Sequence, residues 1–307
     1  MIPKHINADG SHRRHQLTAI RVVRGILCLA VLLTTACMTL IYCAPLFTLL
    51  LRLFSIHYSR KVVALLFGAW LSMWPFLFEK INNTKVVFSG DSVPSKERVL
   101  LFANHRTEVD WMYLWDLALR KGCLGSIKYV LKSSLMKLPV FGWGFQVLEF
   151  ISVERKWEID ESMMRRKLST FKDTRDSLWL AVFPEGTDYT IAYKHRCPTF
   201  LDNAFGVDPL EVHIHIRRFS PHEIPASEKD VAVWLTERFR IKDQLLTDFT
   251  NLGYFPDEGT EGDLSTFSCL IYVLISAVYL TYITHFDIQP TPILGSLKAL
   301  ICSKKEL

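Results

Sequence analysis

Two side chains five residues apart, His105 and Asp110 in RVLLFANHRTEVDW (98–111), are of the types that move a proton. An aspartate accepting from one imidazole nitrogen fixes the tautomer and leaves the other nitrogen as a base. Both cannot sit on one helix face, because five residues turn an ideal helix by roughly 140° past a full turn. They can meet if His105 ends a strand and Asp110 lies in the first turn of the helix that follows. The pattern permits this, with strand Leu100–Phe102, turn Asn104–Thr107 and helix Trp111–Leu119. The blander reading is a solvated turn with an acid near a helix N-terminus.

The elements around the pair decide between these readings. Strand-like runs are Lys85–Phe88, Val99–Phe102, Ile127–Val130, Phe150–Val153, Trp179–Phe183 and Val212–Ile216. Helical spacing appears over Glu108–Arg120 and Ser162–Asp173. Ser227 with Asp230 has the pattern of a capping box opening a helix through Trp234, Leu235, Phe239 and Leu246. Strands alternating with helices predict an α/β fold with a largely parallel sheet flanked by helices. FPEGT (183–187) follows an apolar strand, which puts Glu185 and Gly186 at its carboxyl end, where open α/β sheets form sites. FISVERKW (150–157) likewise puts Arg155 just after a strand. One place breaks the alternation. Seven residues separate Phe183 from Ile191, too few for a parallel crossover. Either Ile191–Tyr193 is not a strand of that sheet, or a helix and strand expected here are absent.

Three uncharged apolar runs frame this region: Gly25–Leu51 (27 residues), Val62–Phe78 (17) and Leu264–Thr284 (21). The first exceeds what a bilayer core requires, is longer than a signal-peptide core and lacks a small-residue cleavage site. The chain therefore divides into a basic arm (1–24), an N-terminal membrane helix pair (25–78), a polar domain (79–263) and a C-terminal membrane tail (264–307). The net charge of +5 is uneven: +7 over residues 1–78, −3 over 79–263 and +1 over 264–307. Arg13, Arg14, Arg21 and Arg24 precede the first apolar run, which predicts a cytosolic N-terminus against anionic head groups and gives no support for nucleic-acid binding. Seven cysteines without C-x-x-C spacing indicate neither a disulfide framework nor a zinc site.

NHRTEVD, FISVER and FPEGT, in this order, resemble the glycerolipid acyltransferases typified by lysophosphatidate acyltransferases. The variants NHR-x-x-x-DW, LPVFGW (138–143), RKW (155–157) and FPEGTD look most like plant endoplasmic-reticulum isoforms and animal lysocardiolipin acyltransferases. The resemblance implies that His105 is the general base and Asp110 its orienting partner. It implies that Arg155 and the FPEGT loop, chiefly Glu185 and Gly186 with Thr187, hold the acceptor phosphate, and that Asn104, Phe183 and Pro184 support these motifs. The implied reaction moves an acyl group from acyl-CoA, as co-substrate, to the sn-2 hydroxyl of lysophosphatidate in the endoplasmic-reticulum membrane, as a multi-pass protein with a cytosolic site. No cofactor or metal is expected, since a thioester already has a good leaving group; lysophospholipid, acyl-CoA and bilayer are the expected partners. Alternatives are a lysocardiolipin-like acceptor, or a catalytically silent membrane protein that keeps the fold as a binding module. The family pattern continues past FPEGTDYT through a helix and a further strand. This chain runs straight to IAYKHRCPTFLDN, so the polar domain is expected to lack a segment of several tens of residues after residue 190. Asp188 stands where many relatives carry Arg or Asn.

Weaker signals have plainer explanations. In EVHIHIRRF, alternation puts His213, His215 and Arg217 on one face, read as a polar strand face because no third ligand is apparent. Asn82-Asn83-Thr84 is a glycosylation sequon expected to stay unused in the cytosol. Trp70 and Trp74 read as interfacial or packing residues. Lys128 and Lys132 could seat CoA phosphates, but a solvated face is the expected reading. FPDEGT (255–260) is read as a loop before the tail, and the terminal KKEL is compatible with either side of the membrane.

Overall fold

The computed structural model describes residues 15–95, 97–104, 107–172, 177–183, 191–194, 196–257, 261, 264 and 274, with the side chain of Tyr42 left aside. The first apolar run is helical from Ala19 to Phe54: α1 (Ala19–Met38), a π-helical turn (Thr39–Cys43) and α2 (Ala44–Phe54). Ser55 turns the chain into α3 (Ile56–Leu71), followed by a short α4 (Met73–Pro75) and a second π-helical turn (Phe76–Ile81). Pro75 ends α4, immediately before the winding changes to the π-helical turn, the kind of site where a proline bends a helix.

Six predicted strands form, with end shifts of one or two residues. They are β1 (Lys85–Gly90), β2 (Val99–Phe102), β3 (Ile127–Lys132), β4 (Ile151–Val153), β5 (Trp179–Val182) and, last in the chain, β7 (Glu211–Ile216). Between β5 and β7 lies β6 (Ile191–Tyr193). β2, β5, β3 and β4 pair in that order as a fully parallel sheet, whereas β1, β7 and β6 make a second sheet in which β6 runs antiparallel to β7. The short link after β5 is thereby explained: Ile191–Tyr193 joins a different sheet, and no parallel crossover is needed.

The helices are α5 (Asp110–Arg120), α6 (Phe141–Val147), α7 (Trp157–Lys172), α8 (Phe200–Phe205) and α9 (Glu228–Leu252). α7 starts five residues before the predicted Ser162, because Trp157 and Ile159 stay exposed and hid the helical period from an apolar count. At the start of α9 the Ser227 hydroxyl accepts from Asp230 N, as predicted, but also donates to the Asp230 carboxylate at 2.6 Å. Sequence reasoning missed the reciprocal capping box of Thr199 and Asp202 on α8.

α5 is buried on nearly every side, from Met112 through Ala118. It also carries Asp116, which is 1% exposed, beside Arg120, whose guanidinium lies 2.6 Å from Glu79 and over the ring of Phe88. Burial pushes the Asp116 carboxyl well above the usual range; Arg120 opposes this and the charge of Glu79 adds to it. The fold therefore binds a proton that the unfolded chain releases near pH 3.8, so stability falls as pH rises from there toward the folded value. Asp116→Asn is expected to raise Tm by a margin that widens as pH increases from about 4 toward neutrality; a margin flat across that range would refute the assignment.

α1 lies along the domain rather than leading away from it. Arg21 donates to Gly206 O (2.7 Å), Arg24 to Asn82 Oδ1 (2.8 Å), and Trp70 Nε1 to Leu32 O (3.0 Å). Further along, Leu40 and Ala44 pack with Val63, Phe67 and Leu148. Thus Arg21 and Arg24, expected against lipid head groups, turn inward to satisfy carbonyl and amide oxygens of the protein; Arg13 and Arg14 lie outside the described residues. The outward faces of α1 and α2 expose Ile20, Val23, Leu27, Leu49, Leu53 and Phe54.

Candidate functional site

β2 and β5 are neighbours in register, Phe102 opposite Val182, and the ladder extends to Ala103 N donating to Val182 O at 3.2 Å. The turn that starts at Asn104 and the segment that starts at Phe183 therefore leave adjacent strand ends on the carboxyl side of the sheet. β4 lies two strands beyond β5 on the same side, so Arg155 shares that rim at about three strand spacings from β2, roughly 14 Å. His105, Pro184, Glu185, Gly186, Thr187 and Asp188 lie outside the described residues.

Asp110 is the first residue of α5, in the helix turn where the sequence put it, and it is fully buried. Its Oδ2 accepts Thr107 N (2.7 Å); its Oδ1 accepts the Thr107 hydroxyl (3.1 Å) and the Tyr193 hydroxyl (2.5 Å). These three contacts with described residues fix the plane of the group. Burial, then the charge of Asp110, push the Tyr193 phenol well above its usual range, so it stays a donor. Asn104 is 1% exposed and accepts Ile191 N at 3.2 Å. β6 thus closes the back of the turn through two contacts, Ile191 to Asn104 and Tyr193 to Asp110. Glu108 reaches out to accept Phe200 N at 2.7 Å, and Phe183 stacks on Tyr129 with centroids 6.0 Å apart.

Arg155 is exposed and sits at φ +61°, a left-handed backbone that is uncommon outside glycine. The cause is Asp160, 4% exposed in the first turn of α7, whose Oδ1 accepts Glu154 N (2.8 Å) and Oδ2 accepts Lys156 N (3.0 Å). The carboxylate grips both neighbours and leaves the arginine at the apex. Sequence reasoning missed Tyr193, Thr107 and Asp160. Asp160 carried a readable signal, an acid five residues after Arg155 at a helix start; Tyr193 carried none, since its contact depends on which sheet β6 joins.

Several weaker expectations are corrected. Lys128 is not on a solvated face: its side chain is 16% exposed and donates to Leu148 O at 2.6 Å. Lys132 is exposed as expected. His213 is 3% exposed beneath the ring of Phe249 rather than on a polar face, because α9 covers that side of β7, while His215 contacts Ser89 Oγ at 3.0 Å. The sequon residue Asn82 is 4% exposed, with its amide donating to Asn203 O at 2.7 Å, which removes it from any modifying enzyme. Trp74 is a packing residue, buried against Trp70, Phe78, Trp115 and Phe200.

A polar rim at the carboxyl ends of a parallel sheet, mounted on two helices with an apolar outer face, defines an α/β site poised beside apolar surface. Comparison with known proteins makes the class specific. Residues 85–203 match the model of the Acyltransferase family, and residues 204–275 match that of the Acyltransferase C-terminus. The chain is 50% identical over 357 aligned residues to the probable 1-acyl-sn-glycerol-3-phosphate acyltransferase 5 of Arabidopsis thaliana, covering 92% of this chain and 95% of that protein. It is 29% identical to lysocardiolipin acyltransferase 1 of Gallus gallus over 74% of each. A crystal structure of the 1-acyl-sn-glycerophosphate acyltransferase PlsC from Thermotoga maritima aligns over 73% of this chain and 97% of that one, at 17% identity and a TM-score of 0.43. This chain belongs to the acyltransferase family.

Proposed function

We propose that the chain transfers a fatty acyl group from acyl-CoA to the sn-2 hydroxyl of lysophosphatidate, forming phosphatidate. The observation that carries this reading is the buried carboxylate of Asp110 just after the turn that starts at Asn104, one strand away from Phe183, the first residue of FPEGT. In the proposed step His105 takes the hydroxyl proton, the oxygen attacks the thioester carbonyl, and the C–S bond breaks as the proton passes to the leaving thiolate. Such a base contributes roughly 10²–10⁴ in rate. Arg155 supplies a fork for the acceptor phosphate, with Glu185, Gly186 and Thr187 completing that end. The reaction as written needs neither metal nor cofactor. The relatives named for lysophosphatidate and for lysocardiolipin support the acceptor class, and the 50% relative favours the former.

We further read the chain as a protein of the endoplasmic-reticulum membrane with its site on the cytosolic side. The outward apolar face of α1 and α2 lies in the bilayer and the inward face on the enzyme, with a further crossing expected over 264–284. We propose that the polar domain lacks a segment after residue 190. The 357-position alignment draws on only about 282 residues of this chain (92% of 307), leaving about 75 positions without a counterpart here.

The test is acyl transfer from labelled acyl-CoA in membranes carrying the chain, over a panel of lysolipids. His105→Ala is expected to lower phosphatidate formation by about 10²-fold or more; wild type and variant equally inert would favour the silent alternative. Against the Arabidopsis relative, this chain is expected to be at least about tenfold slower, and equal turnover would refute the missing-segment reading.

Asp160→Ala frees the two amides that hold Arg155. We expect KM for the acceptor to rise about tenfold, a loss of about 1.4 kcal/mol, with kcat and the KM for acyl-CoA unchanged. A fall in kcat alone would show that the clamp serves something other than acceptor binding.

A further inference from the structure

A cavity of about 490 Å³ wraps the open edge of β4, the last strand of the parallel sheet, which has β3 on one side only. Phe150 and Ser152, alternate residues, line it from one face of that strand, while Ile151 points to the other, into a cluster with Phe171 of α7. Across the edge, Met163, Arg166, Lys167 and Thr170 line it from one stripe of α7, at the i, i+3, i+4, i+7 spacing of a single helix face. One turn earlier the same stripe carries Asp160, whose carboxylate holds the backbone on either side of Arg155. The cavity therefore begins about 5 Å, one helical turn, from the rim. Its charge is one-sided. Among the described lining residues Arg166 and Lys167 face no acid, and among the described residues neither side chain forms an ion pair. Two nearby acids are already engaged, Asp160 by its two amides and Glu161 by Arg165 at 2.9 Å. Arg166 and Thr170 are exposed, so the mouth opens to water, while Met136, Phe150 and Met163 supply an apolar wall inside.

We propose that this cavity seats the nucleotide end of coenzyme A, with Arg166 and Lys167 on its phosphates and the adenine against Phe150, Met136 and Met163. This rests on acyl-CoA being the donor, as proposed above, and adds where the donor is held. The volume falls in the range of small-molecule sites. A guanidinium forks onto a phosphate, and an ammonium adds a point charge on a flexible stem. Thioether and aromatic groups give a purine a polarisable face. An unopposed pair of cations in a half-enclosed space concentrates polyanions. The span fits as well. Arg166 lies six residues along α7 from Asp160, and the rim runs three strand spacings from Arg155 to β2. Together these put Arg166 roughly 17 Å from the turn beside Asp110. About thirteen bonds separate the sulfur of CoA from the nearer phosphorus of its diphosphate, an extended reach of about 16 Å at ordinary bond lengths. One molecule can therefore keep its phosphates at the edge of β4 and its thioester beside Asp110.

The test is calorimetric titration of CoA, carrying no acyl group, into the full chain in neutral-detergent micelles. Wild type should bind it, and Arg166→Gln and Lys167→Gln should each raise the dissociation constant about tenfold, the loss of one charge-assisted phosphate contact. Arg165→Gln removes the same charge from the same helix off the stripe, where it pairs with Glu161, and should change the constant less than about twofold. Pantetheine, which lacks the nucleotide, should not distinguish the four proteins. Unchanged affinity in both stripe variants would overturn the seat and leave acyl-CoA as the donor. An equal loss in Arg165→Gln would reduce the effect to the net charge of α7 and also overturn it. Displacement of CoA by an equal concentration of phosphatidylglycerol or inorganic pyrophosphate would overturn the nucleotide assignment. No binding of CoA to wild type would overturn the seat and the acyl-CoA reading together. Because binding is read without turnover, the seat stands or falls separately from acyl transfer.

Discussion

Asp110→Asn is expected to keep the fold while lowering acyl transfer by about 10²–10⁴-fold, and Asp110→Ala to lose both. The difference follows from the contacts the carboxylate makes. Among the described residues these go to one backbone amide, that of Thr107, and to two hydroxyls, Thr107 and Tyr193. An asparagine can keep its oxygen toward Thr107 N and present its amide to the hydroxyls, which rotate to accept. Shape and hydrogen bonding survive, and only the negative charge is lost. Alanine instead strands a buried amide and two hydroxyls, each unmet group costing about 1–3 kcal/mol; at the start of a fully buried helix, relaxation offers little relief. The measurements are Tm in detergent and initial rates in membranes. An Asn variant with near-native rates would show that the charge does not serve the imidazole and would remove the main support for the proposed chemistry.

The parallel sheet and the placement of Asp110 were legible because both rest on local pattern. β-branched runs end at turn residues, and an acid opens an amphipathic stretch. The apolar runs were legible as helices, but not the side they present. Arg21 and Arg24 looked like head-group ligands because charge counting cannot see the carbonyl of Gly206 or the amide of Asn82, which come from residues 58 to 185 positions away. The same holds for Lys128 and His213. Each alternates correctly along its strand, yet a later element, α6 with its following residue or the end of α9, covers the face that alternation left open. Tyr193 depends on a register between sheets that no local signal sets.

Gly125 is a tightly constrained contact between the helix pair and the site-bearing sheet. It precedes β3 and meets α3 so closely that a Cβ would lie 2.6 Å from the carbonyl carbon of Ala64 and closer still to its oxygen. Both are helix backbone, which cannot rotate away. Gly68, facing it from α3, is less constrained: a Cβ there meets Gly125 N at 3.0 Å and Gly125 Cα at 3.2 Å, a misfit of a few tenths of an ångström. An alanine inside α3 also gains about 0.5–1 kcal/mol of helix preference over glycine, which offsets that misfit. Gly68→Ala should therefore be near neutral. Gly125→Ala must lift α3 from the sheet base and is expected to cost about 3 kcal/mol, seen as a Tm drop of roughly 6–12 °C. Because Arg60 and Glu149 meet across the same seam, the shift should also pull that ion pair apart. Equal Tm for the two variants would mean that the seam is loose, and that α3 is held by its apolar contacts with Leu40, Ala44 and Leu148 alone.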